Sequence, residues 1–476
     1  MKSVLMIAYG FPPEGNAGVY RPLRFLRNLP SYGWRGRVMS ARRSQFERYD
    51  PELLSQVPDG TEIVRVADGD LWQTIQRKRS ERLGRETKAA ADVAGEETAA
   101  REPASPNTTL RSRVRELVRK AEGCWYHPDM QKSWIRPAVE ATVTMCAGVR
   151  PDVLWATGPP WSAFIVARRA ARRTGIPYVL DFRTSWTIVP SPFEAMRPAW
   201  ALQRDRQVLR ELLGDAQAVT FFYEAEAECF WRLYKGSLDP SRIHIIPNGF
   251  DGEAEEGVLP TGDRFTILYT GTLSDYRYQA FLDALRLFKQ REPGQAGRLS
   301  VQFVGEGVEN VAGLARQLNI ADIVSTAPPV PHSEIHRLQR AAHALLVFER
   351  IPTKGYELLA GAKLFGYLKV GRPILGVVPE GEAARVLRDV GVSTIADPES
   401  PERICAVVET MMNVWSAGQL SALVPDRAAC ERYSGKAQTS ALVRALEGLP
   451  PVKEFVPGVV DIVPSLRAEF AAEGWA

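Results

Sequence analysis

Short apolar segments alternate with longer amphipathic segments in both halves of the chain, and this alternation constrains the fold most. Apolar runs that end in Gly, Pro or polar residues are typical of buried parallel strands, and the helical segments between them supply the crossovers that such strands need. The predicted strands are Val4–Ala8, Thr61–Val66, Val153–Ala156, Tyr178–Asp181, Val219–Phe222, Phe265–Tyr269, Leu299–Val304, Ile323–Ser325, Ala344–Phe348, Pro373–Val378 and Thr394–Ala396. The pattern predicts two α/β units, each with a parallel sheet between helices.

The length of the chain supports a division into domains. A chain of 476 residues is too long for one ordinary hydrophobic core, and 45% hydrophobic with 24% charged residues is the mixture of a folded protein. We predict a first domain at 1–248, a second at 249–430, a helix within 431–449 that returns to the first domain, and a tail at 450–476. The Asn248-Gly249 turn signal marks the boundary. Residues 78–113 are polar and nearly free of large apolar side chains, so we expect a mobile or solvated excursion there.

Several classes of protein are disfavoured by composition. No apolar run approaches the roughly 18 residues that cross a bilayer. The first residues, MKSVLMIAYG, predict a strand, with a signal peptide as the less favoured alternative. The cysteines are scattered without metal-ligand spacing, so we expect free thiols in a reducing cytoplasm and no metal site. They are Cys124, Cys146, Cys229, Cys405 and Cys430.

The charge is distributed unevenly between the two halves. Residues 1–250 carry 37 basic and 28 acidic side chains, whereas residues 251–476 carry 23 and 28. A basic first half fits an anionic partner such as a membrane surface or a lipid phosphate, and a solvated arginine-rich surface is the alternative. The predicted helix Tyr20–Leu29 carries Arg21, Arg24 and Arg27, and it fits either a peripheral membrane contact or packing on its own sheet. No nucleic-acid-binding module is recognisable.

Two polar segments follow predicted strands of the first half. Gly15 to Gly18 follow the first strand and precede a helix, so their backbone N–H groups are candidates to receive an anion, although a tight turn also needs glycine for steric reasons. Asp181 and Arg183 end another strand. Asp181 is a candidate to orient a hydroxyl, and Arg183 is a candidate to hold a phosphate or carboxylate. The alternative is an internal Asp181–Arg183 pair that fixes the loop.

Four short phrases of the first half are the most specific sequence signals. They are YGFPPEGNAG at 9–18, TGPP at 157–160, DFRTSW at 181–186 and IPNGFD at 246–251. Together they resemble family 4 of the retaining glycosyltransferases, in a bacterial branch with a D-F-R-x-x-W phrase. The resemblance covers most of the chain outside 70–125 and the last residues. It implies the GT-B fold, in which two Rossmann-like parallel-sheet domains face a cleft.

The second half carries phrases that resemble the donor-binding segments of the same family. GTLSDYR at 271–277 is similar to its G-R-L-x-x-x-K loop, and KLFGYLKVGRP at 363–373 is similar to its K-L-F-E-Y-L-x-x-G-x-P helix. The resemblance implies that Arg277 and Lys363 contact the donor diphosphate. It also implies that donor-binding residues lie at Gly271, Thr272, Gly305, Val330, Pro331, Glu357, Leu364, Phe365 and Gly366.

The activity that the resemblance implies is transfer of a sugar from a nucleoside-diphosphate sugar to a hydroxyl acceptor, with retention of configuration and without a metal or other cofactor. Bacterial glycan, glycolipid or metabolite synthesis would be its setting. A lipid-linked acceptor and a cytoplasmic location, peripheral on the inner face of the plasma membrane, fit the basic first half. Gly366 and Leu358 stand where the family has glutamates, and Thr272 stands where it has an arginine. Glu357, beside Leu358, is a candidate to replace the first of these glutamates if the loop is shifted by one residue. These departures favour the alternative, a catalytically silent GT-B partner or stabiliser of an active transferase.

Overall fold

The chain forms two compact units. A computed structural model of the protein describes residues 1–42, 49–67, 127–188, 198–256, 259–273, 276–349, 358 and 360–458. One unit contains Met1–Thr220 and Gly236–Arg242, and the other contains Phe221–Lys235 and Ile243–Ala476. The changes of unit fall between residues 220 and 243, whereas the sequence predicted a division at residue 248. The predicted excursion at 78–113 lies outside the described residues, and so does the tail beyond residue 458.

The first sheet has seven strands in the order β3-β2-β1-β4-β5-β6-β7. Neighbours from β3 to β6 pair in parallel. The strands are β1 (Lys2–Ile7), β2 (Trp34–Ala41), β3 (Ile63–Val66), β4 (Val153–Gly158), β5 (Tyr178–Phe182), β6 (Ala218–Phe221) and β7 (Ile243–Ile245). The helices along this stretch are α1 (Tyr20–Asn28), α2 (Ile135–Gly148), α3 (Ser162–Thr174), α4 (Ala199–Asp215) and α5 (Glu224–Leu233).

The second sheet is parallel throughout and has the order β10-β9-β8-β11-β12-β13. Its strands are β8 (Phe265–Thr270), β9 (Leu299–Val304), β10 (Val324–Ala327), β11 (Ala344–Phe348), β12 (Ile374–Val377) and β13 (Ile395–Ala396). The helices are α6 (Gln279–Arg291), α7 (Pro293–Ala296), α8 (Glu309–Gln317), α9 (His332–Ala341), α10 (Ala362–Val370), α11 (Glu382–Asp389), α12 (Pro401–Ser416), α13 (Arg427–Cys430) and α14 (Gly435–Leu446). The prediction of two parallel-sheet α/β units is confirmed.

Strand β2 was not predicted from the sequence. Its residues, WRGRVMSA, include two arginines and a glycine, so the segment does not look like a buried strand. Arg37 is nevertheless buried, because its guanidinium donates to the carbonyl oxygens of Met145, at 3.3 Å, and Val149. Met145 lies in the last turn of α2, where its carbonyl also accepts from the Val149 N–H at 3.1 Å, and Val149 directly follows the helix. A tertiary contact therefore makes an arginine acceptable in a central strand.

Each sheet reverses its strand order once, and the reversal determines where ligands are expected. The order reverses between β1 and β4 in the first sheet and between β8 and β11 in the second. In open parallel sheets, ligands bind outside the carboxyl ends of the strands at such a point. The loops after β1 and β4, and separately those after β8 and β11, are therefore the first places to search for function.

Helix α14 is tied to the segment that precedes β8. The Phe250 N–H donates to the Tyr433 carbonyl at 3.0 Å, and the Gly435 N–H donates to the Phe250 carbonyl at 2.9 Å. The Gln438 side chain adds a hydrogen bond to the Pro247 carbonyl at 2.9 Å. All of these residues belong to the second unit. The predicted return of this helix to the first domain stays a prediction.

A buried ion pair joins α1 to the middle of the first sheet. The Asp181 carboxylate, at the end of β5, accepts hydrogen bonds from the Arg21 guanidinium at 2.7, 3.0 and 3.2 Å. The hydroxyls of Thr157 on β4 and Thr220 on β6 donate to the same carboxylate at 2.7 and 2.5 Å. Arg21 is 3% exposed and Asp181 is fully buried. The carboxylate thus connects three strands and a helix, and Arg21, not Arg183, is its ion-pair partner.

Replacing Asp181 with Ala should strongly destabilise the first unit, because Arg21 would remain buried without its counter-charge. The expected loss is about 3–5 kcal/mol of unfolding free energy, measured by urea denaturation. Arg173→Ala is the matched control, since Arg173 pairs with Glu140 at 2.6 Å on the exposed surface. A surface pair of this kind contributes below about 1 kcal/mol. Equal denaturation midpoints for the two variants would show that the buried pair is not a structural tie.

Candidate functional site

Helix α10 begins next to a carboxylate from the end of β11. Gly361 precedes the helix in an extended conformation, with φ −65° and ψ 149°, and no side chain of the helix caps it. Instead, the Gly361 N–H donates to Glu349 Oε1 at 2.6 Å. A negative group at the start of a helix is stabilised by the unpaired N–H groups and the helix dipole. The start of α10 is therefore a place where this chain already binds an anion of its own.

Lys363 lies in the first turn of α10 and is held by aromatic side chains. Its ammonium donates to the Tyr269 hydroxyl at 2.6 Å and lies 3.8 Å from the centre of the Tyr269 ring and 5.3 Å from that of Tyr276. The Tyr269 hydroxyl in turn donates to the Thr272 carbonyl at 2.6 Å. Aromatic faces attract cations, so the rings stabilise the charged form of Lys363. Tyr269 thereby holds both the lysine and the loop that follows β8.

The surroundings of Lys363 lower its pKa towards neutral pH. Burial lowers the pKa of Lys363 to about 7, and the nearby Glu349 carboxylate acts in the opposite direction. Burial also raises the pKa of the Tyr269 hydroxyl, so this phenol stays protonated and available as a donor. A lysine in this state is partly neutral when the site is free. An anion that binds beside it would favour its protonated form.

Two glycines shape the loop that lies against the ammonium. Gly271 follows β8 with φ +116°, and a Cβ atom there would lie 3.0 Å from both Cε and Nζ of Lys363. Gly305 follows β9 with φ +147°, and a Cβ atom there would lie 2.2 Å from the Gly271 carbonyl oxygen. Both backbone conformations are ones that other residues rarely adopt. The absence of a side chain at Gly271 therefore lets the Lys363 ammonium approach the backbone of this loop, and the absence of one at Gly305 lets the Gly271 backbone pack closely.

Arg277 lies differently from Lys363. Its side chain is 73% exposed and pairs with Glu399 at 3.7 Å. Among the residues that the structure describes, no hydrogen bond or ion pair joins Arg277 to the Lys363 cluster. Thr272, at the position where an arginine was expected, directs its hydroxyl towards Glu306 at 3.4 Å. The structure therefore brings Lys363, Gly271, Gly305 and the Thr272 backbone together and leaves Arg277 on the surface.

The other predicted donor-binding residues fall into three groups. The side chains of Leu364 and Phe365 are fully buried in the apolar core, and Val330 packs against that same core. Pro331 is exposed and precedes α9, and its carbonyl accepts from the N–H groups of Glu334 and Ile335 at 3.0 and 3.1 Å. Glu357 lies outside the described residues. The roles predicted for these residues stay predictions.

The positions where the resemblance places carboxylates have other properties here. Gly366 is exposed on α10, and a Cβ atom there would have no neighbour within 4 Å. Leu358 is fully buried. The carboxylate near Lys363 is that of Glu349, which sequence reasoning did not single out. Its position directly after a buried strand at the reversal of the second sheet was the available signal.

The predicted site of the first unit is formed by the loops after β1, β4 and β5. The Gly18 N–H donates to the Asn16 side chain at 3.0 Å, so this group of the loop is already occupied. Asp181 is enclosed in its network with Arg21 and is not exposed to a ligand. Arg183 is partly buried, and its guanidinium donates to the Pro159 carbonyl. Of the two residues predicted here as catalytic, only Arg183 reaches the surface.

The predictions about membranes, metals and thiols can be compared with the described residues. Arg21 and Arg24 are buried, so α1 does not present the basic face that a membrane contact through it would need. In the described part of the chain, no helix is long and apolar enough to span a membrane. No group of His, Cys, Asp and Glu side chains suited to a metal ion occurs in the same part. Cys146, Cys229, Cys405 and Cys430 are free thiols.

The two sheets define a class of fold, because each is a Rossmann-like parallel α/β unit of the kind found in GT-B glycosyltransferases. A glycosyltransferase from Rickettsia africae has a TM-score of 0.56 at 9% identity, covering 94% of this chain and 98% of that one. Sucrose-phosphate synthase from Thermosynechococcus elongatus has a TM-score of 0.54 at 12% identity, covering 94% and 98%. At these identities the similarity concerns the fold alone.

Similarity in sequence points to the same class. Residues 77–249 match the family model described as "Glycosyl transferase 4-like domain". Two curated relatives, each named D-inositol 3-phosphate glycosyltransferase, match over 206 residues, or 39% of this chain. The protein from Actinosynnema mirum is 26% identical, and that from Frankia alni is 27% identical. The match spans about half the length of each relative, 48% and 49%.

The charge state of Lys363 is open to a direct test. Its reactivity towards an amine reagent should rise with pH and reach half its maximum near pH 7, because only the neutral amine reacts. Glu349→Gln removes the negative charge that favours the ammonium and should lower this midpoint. Glu306→Gln, on the exposed loop after β9, is the control and should leave it unchanged. A midpoint above pH 9 in the unmodified protein would contradict the site as described.

Proposed function

We propose that the protein is a retaining, metal-independent glycosyltransferase that moves a sugar from a nucleoside-diphosphate sugar to a hydroxyl acceptor. The observation that carries this proposal is the Lys363 ammonium against the Gly271 backbone, in the loop after β8 at the strand-order reversal of the second sheet. A diphosphate placed beside this loop would meet a cation close to the start of α10, where the Gly361 N–H is bonded to Glu349. The match of residues 77–249 to a glycosyl transferase 4-like domain adds support.

The proposed chemistry requires positioning and charge stabilisation. When the bond between sugar and phosphate breaks, negative charge accumulates on the departing diphosphate, and a fixed cation such as Lys363 stabilises it. The acceptor hydroxyl attacks from the face that the diphosphate leaves, and a phosphate oxygen takes its proton. Holding the two reactants together supplies much of the remaining rate enhancement. In this mechanism the lysine fills the role that a metal ion has in other transferases.

Arg277 is proposed as a second cation for the diphosphate. Its side chain is exposed and makes a 3.7 Å ion pair with Glu399, so moving it would cost little. Exposed pairs of this kind typically contribute below about 1 kcal/mol. We further propose that the backbone around Val330 and Pro331 meets the nucleobase, and that Gly366 lies near the donor ribose. A lipid-linked acceptor and a cytoplasmic, peripherally membrane-bound location belong to the same proposal.

A silent GT-B partner of an active transferase is the second candidate. Leu358 and Gly366 favour it, because neither supplies the carboxylate that the resemblance calls for. Screening UDP-, GDP-, dTDP- and CMP-sugars for thermal stabilisation would identify a donor, since a ligand that binds only the native state raises its stability. Binding followed by turnover supports the transferase. Tight binding without hydrolysis or transfer to any acceptor supports the silent partner.

The affinity for the identified nucleoside diphosphate should fall as the pH rises from 7 to 8.5. The free site then loses the Lys363 proton, which binding has to restore, so the affinity should fall by up to about tenfold per pH unit. In Lys363→Arg the cation does not titrate in this range, and the affinity should stay level. Calorimetry at several pH values measures both. A level profile in the unmodified protein would remove Lys363 from the diphosphate site.

Gly366→Glu tests whether the open face of α10 lies beside the donor. The structure leaves room for the side chain, and a carboxylate that accepts from ribose hydroxyls should tighten nucleotide binding roughly tenfold. Gly366→Ala is the matched control, because alanine also has a higher helix propensity than glycine but adds no carboxylate. Both variants should melt at a higher temperature than the parent, and only the glutamate should change the affinity. Equal affinities would place the ribose elsewhere.

A further inference from the structure

Arg183 lies where three loops of the first unit meet. It directly follows β5, and its backbone N–H donates to the Gly158 carbonyl at the end of β4, at 2.9 Å. Its guanidinium donates to the Pro159 carbonyl and lies against the loop after β1. A Cβ atom on Gly18 would come within 2.1 Å of Nη1. The guanidinium therefore occupies space that exists only because residue 18 is glycine.

The charge of Arg183 is poorly compensated by the described residues. Asp181, its expected partner, is bound to Arg21, and no carboxylate in the described ranges lies within ion-pair distance of Arg183. Nε is buried and donates to no acceptor in that part of the chain. Burial lowers the pKa of Arg183 to about 10; Asp181 and Glu14 oppose this effect, and Arg21 adds to it. An arginine retained only for structure would normally be paired, as Arg21 is.

The neighbouring loop supplies space and polarity. Glu14 is buried, and one of its carboxylate oxygens accepts from the Asn16 amide at 2.6 Å, so this negative group is tied to its own loop. The other end of Asn16 accepts the Gly18 N–H. Asn16 therefore engages one Glu14 oxygen and the Gly18 N–H, and the Arg183 guanidinium lies against this loop with an Nε that donates to no acceptor in the described part of the chain. This point lies at the strand-order reversal of the first sheet, where ligands are expected.

We propose that Arg183 binds a phosphate group of a substrate at the strand-order reversal of the first sheet, and that Gly18 keeps this site open. A guanidinium presents a planar fork of N–H groups that matches two phosphate oxygens, which a lysine does not. The residues that form this site all belong to the first unit. The inference rests on the proposed function only for the source of the phosphate, which is either the donor diphosphate or a phosphorylated acceptor.

Calorimetric titration of the full chain tests this site with three probes: inorganic phosphate, D-inositol 3-phosphate and UDP. Arg183→Gln should weaken binding of at least one probe by about tenfold or more, because a charged hydrogen bond is lost. Arg183→Lys keeps the charge without the fork and should fall between. Gly18→Ala should reproduce the loss by displacing the guanidinium. Arg169→Gln, on the exposed face of α3, is the control and should bind every probe normally.

The probes separate the two sources of phosphate. A loss confined to UDP assigns Arg183 to the donor, and a loss confined to D-inositol 3-phosphate or inorganic phosphate assigns it to the acceptor. Unchanged affinities in both Arg183→Gln and Gly18→Ala, or no saturable binding by the parent, would overturn the proposal. Thermal unfolding of each variant shows that it is folded, and Arg183→Lys remains informative if Arg183→Gln is not. Phosphate binding through Arg183 without any sugar transfer would contradict the proposed transferase activity and would still support the phosphate site at Arg183.

Discussion

The ion pair between Arg21 and Asp181 is the interaction on which the first unit depends. It joins α1 to β5, and the hydroxyls on β4 and β6 complete the coordination of the carboxylate. Two buried charges are stable only when each is paired and hydrogen-bonded. The helix α1 and the strands β4, β5 and β6 that meet here therefore have little freedom to move independently. The pair also decides what is left for function. Because Asp181 is bound to Arg21, Arg183 does not form the ion pair with Asp181 that the sequence allowed.

In the second unit, a partly buried cation is held by different contacts. Among the described residues, Lys363 has no direct ion-pair partner; it is held by the Tyr269 hydroxyl and by aromatic faces, and Glu349 acts on it from the start of α10. Tyr269 is itself packed against Phe303 and Phe348, with ring centres 5.8 and 5.5 Å apart. The core of the sheet thus fixes the position of the lysine, while desolvation lowers its pKa. A cation such as Lys363, with no direct counter-charge among the described residues, is suited to pair with an anion.

Glu349 and Gly366 differ from the family pattern that the sequence resembles, but Glu349 still places a negative charge near Lys363. A carboxylate is expected on or just before α10, and the chain places one at the end of β11 instead. The exposed face of the helix, at Gly366, is left open. The departures at Gly366 and Thr272 are the reason that the sequence left a silent protein as the alternative to an active transferase.

The sequence by itself determined the two parallel-sheet units, the approximate bounds of most strands and the helix Gly435–Leu446. Local periodicity is sufficient for these, because it is encoded by neighbouring residues. Lys363 was singled out by the family resemblance and Arg183 by its place at a strand end, and the roles of both stay predictions. Strand β2 was not predictable, since Arg37 is acceptable there through partners distant in the chain, which are the carbonyls of Met145 and Val149 and the Glu62 carboxylate. Three outcomes were decided by tertiary structure: Arg21 pairs with Asp181, Arg277 lies at the surface, and Glu349 reaches the start of α10. Arg21 and Arg277 each meet a carboxylate far along the chain, and Glu349 meets the backbone N–H at the start of the next helix; only tertiary packing decides such contacts.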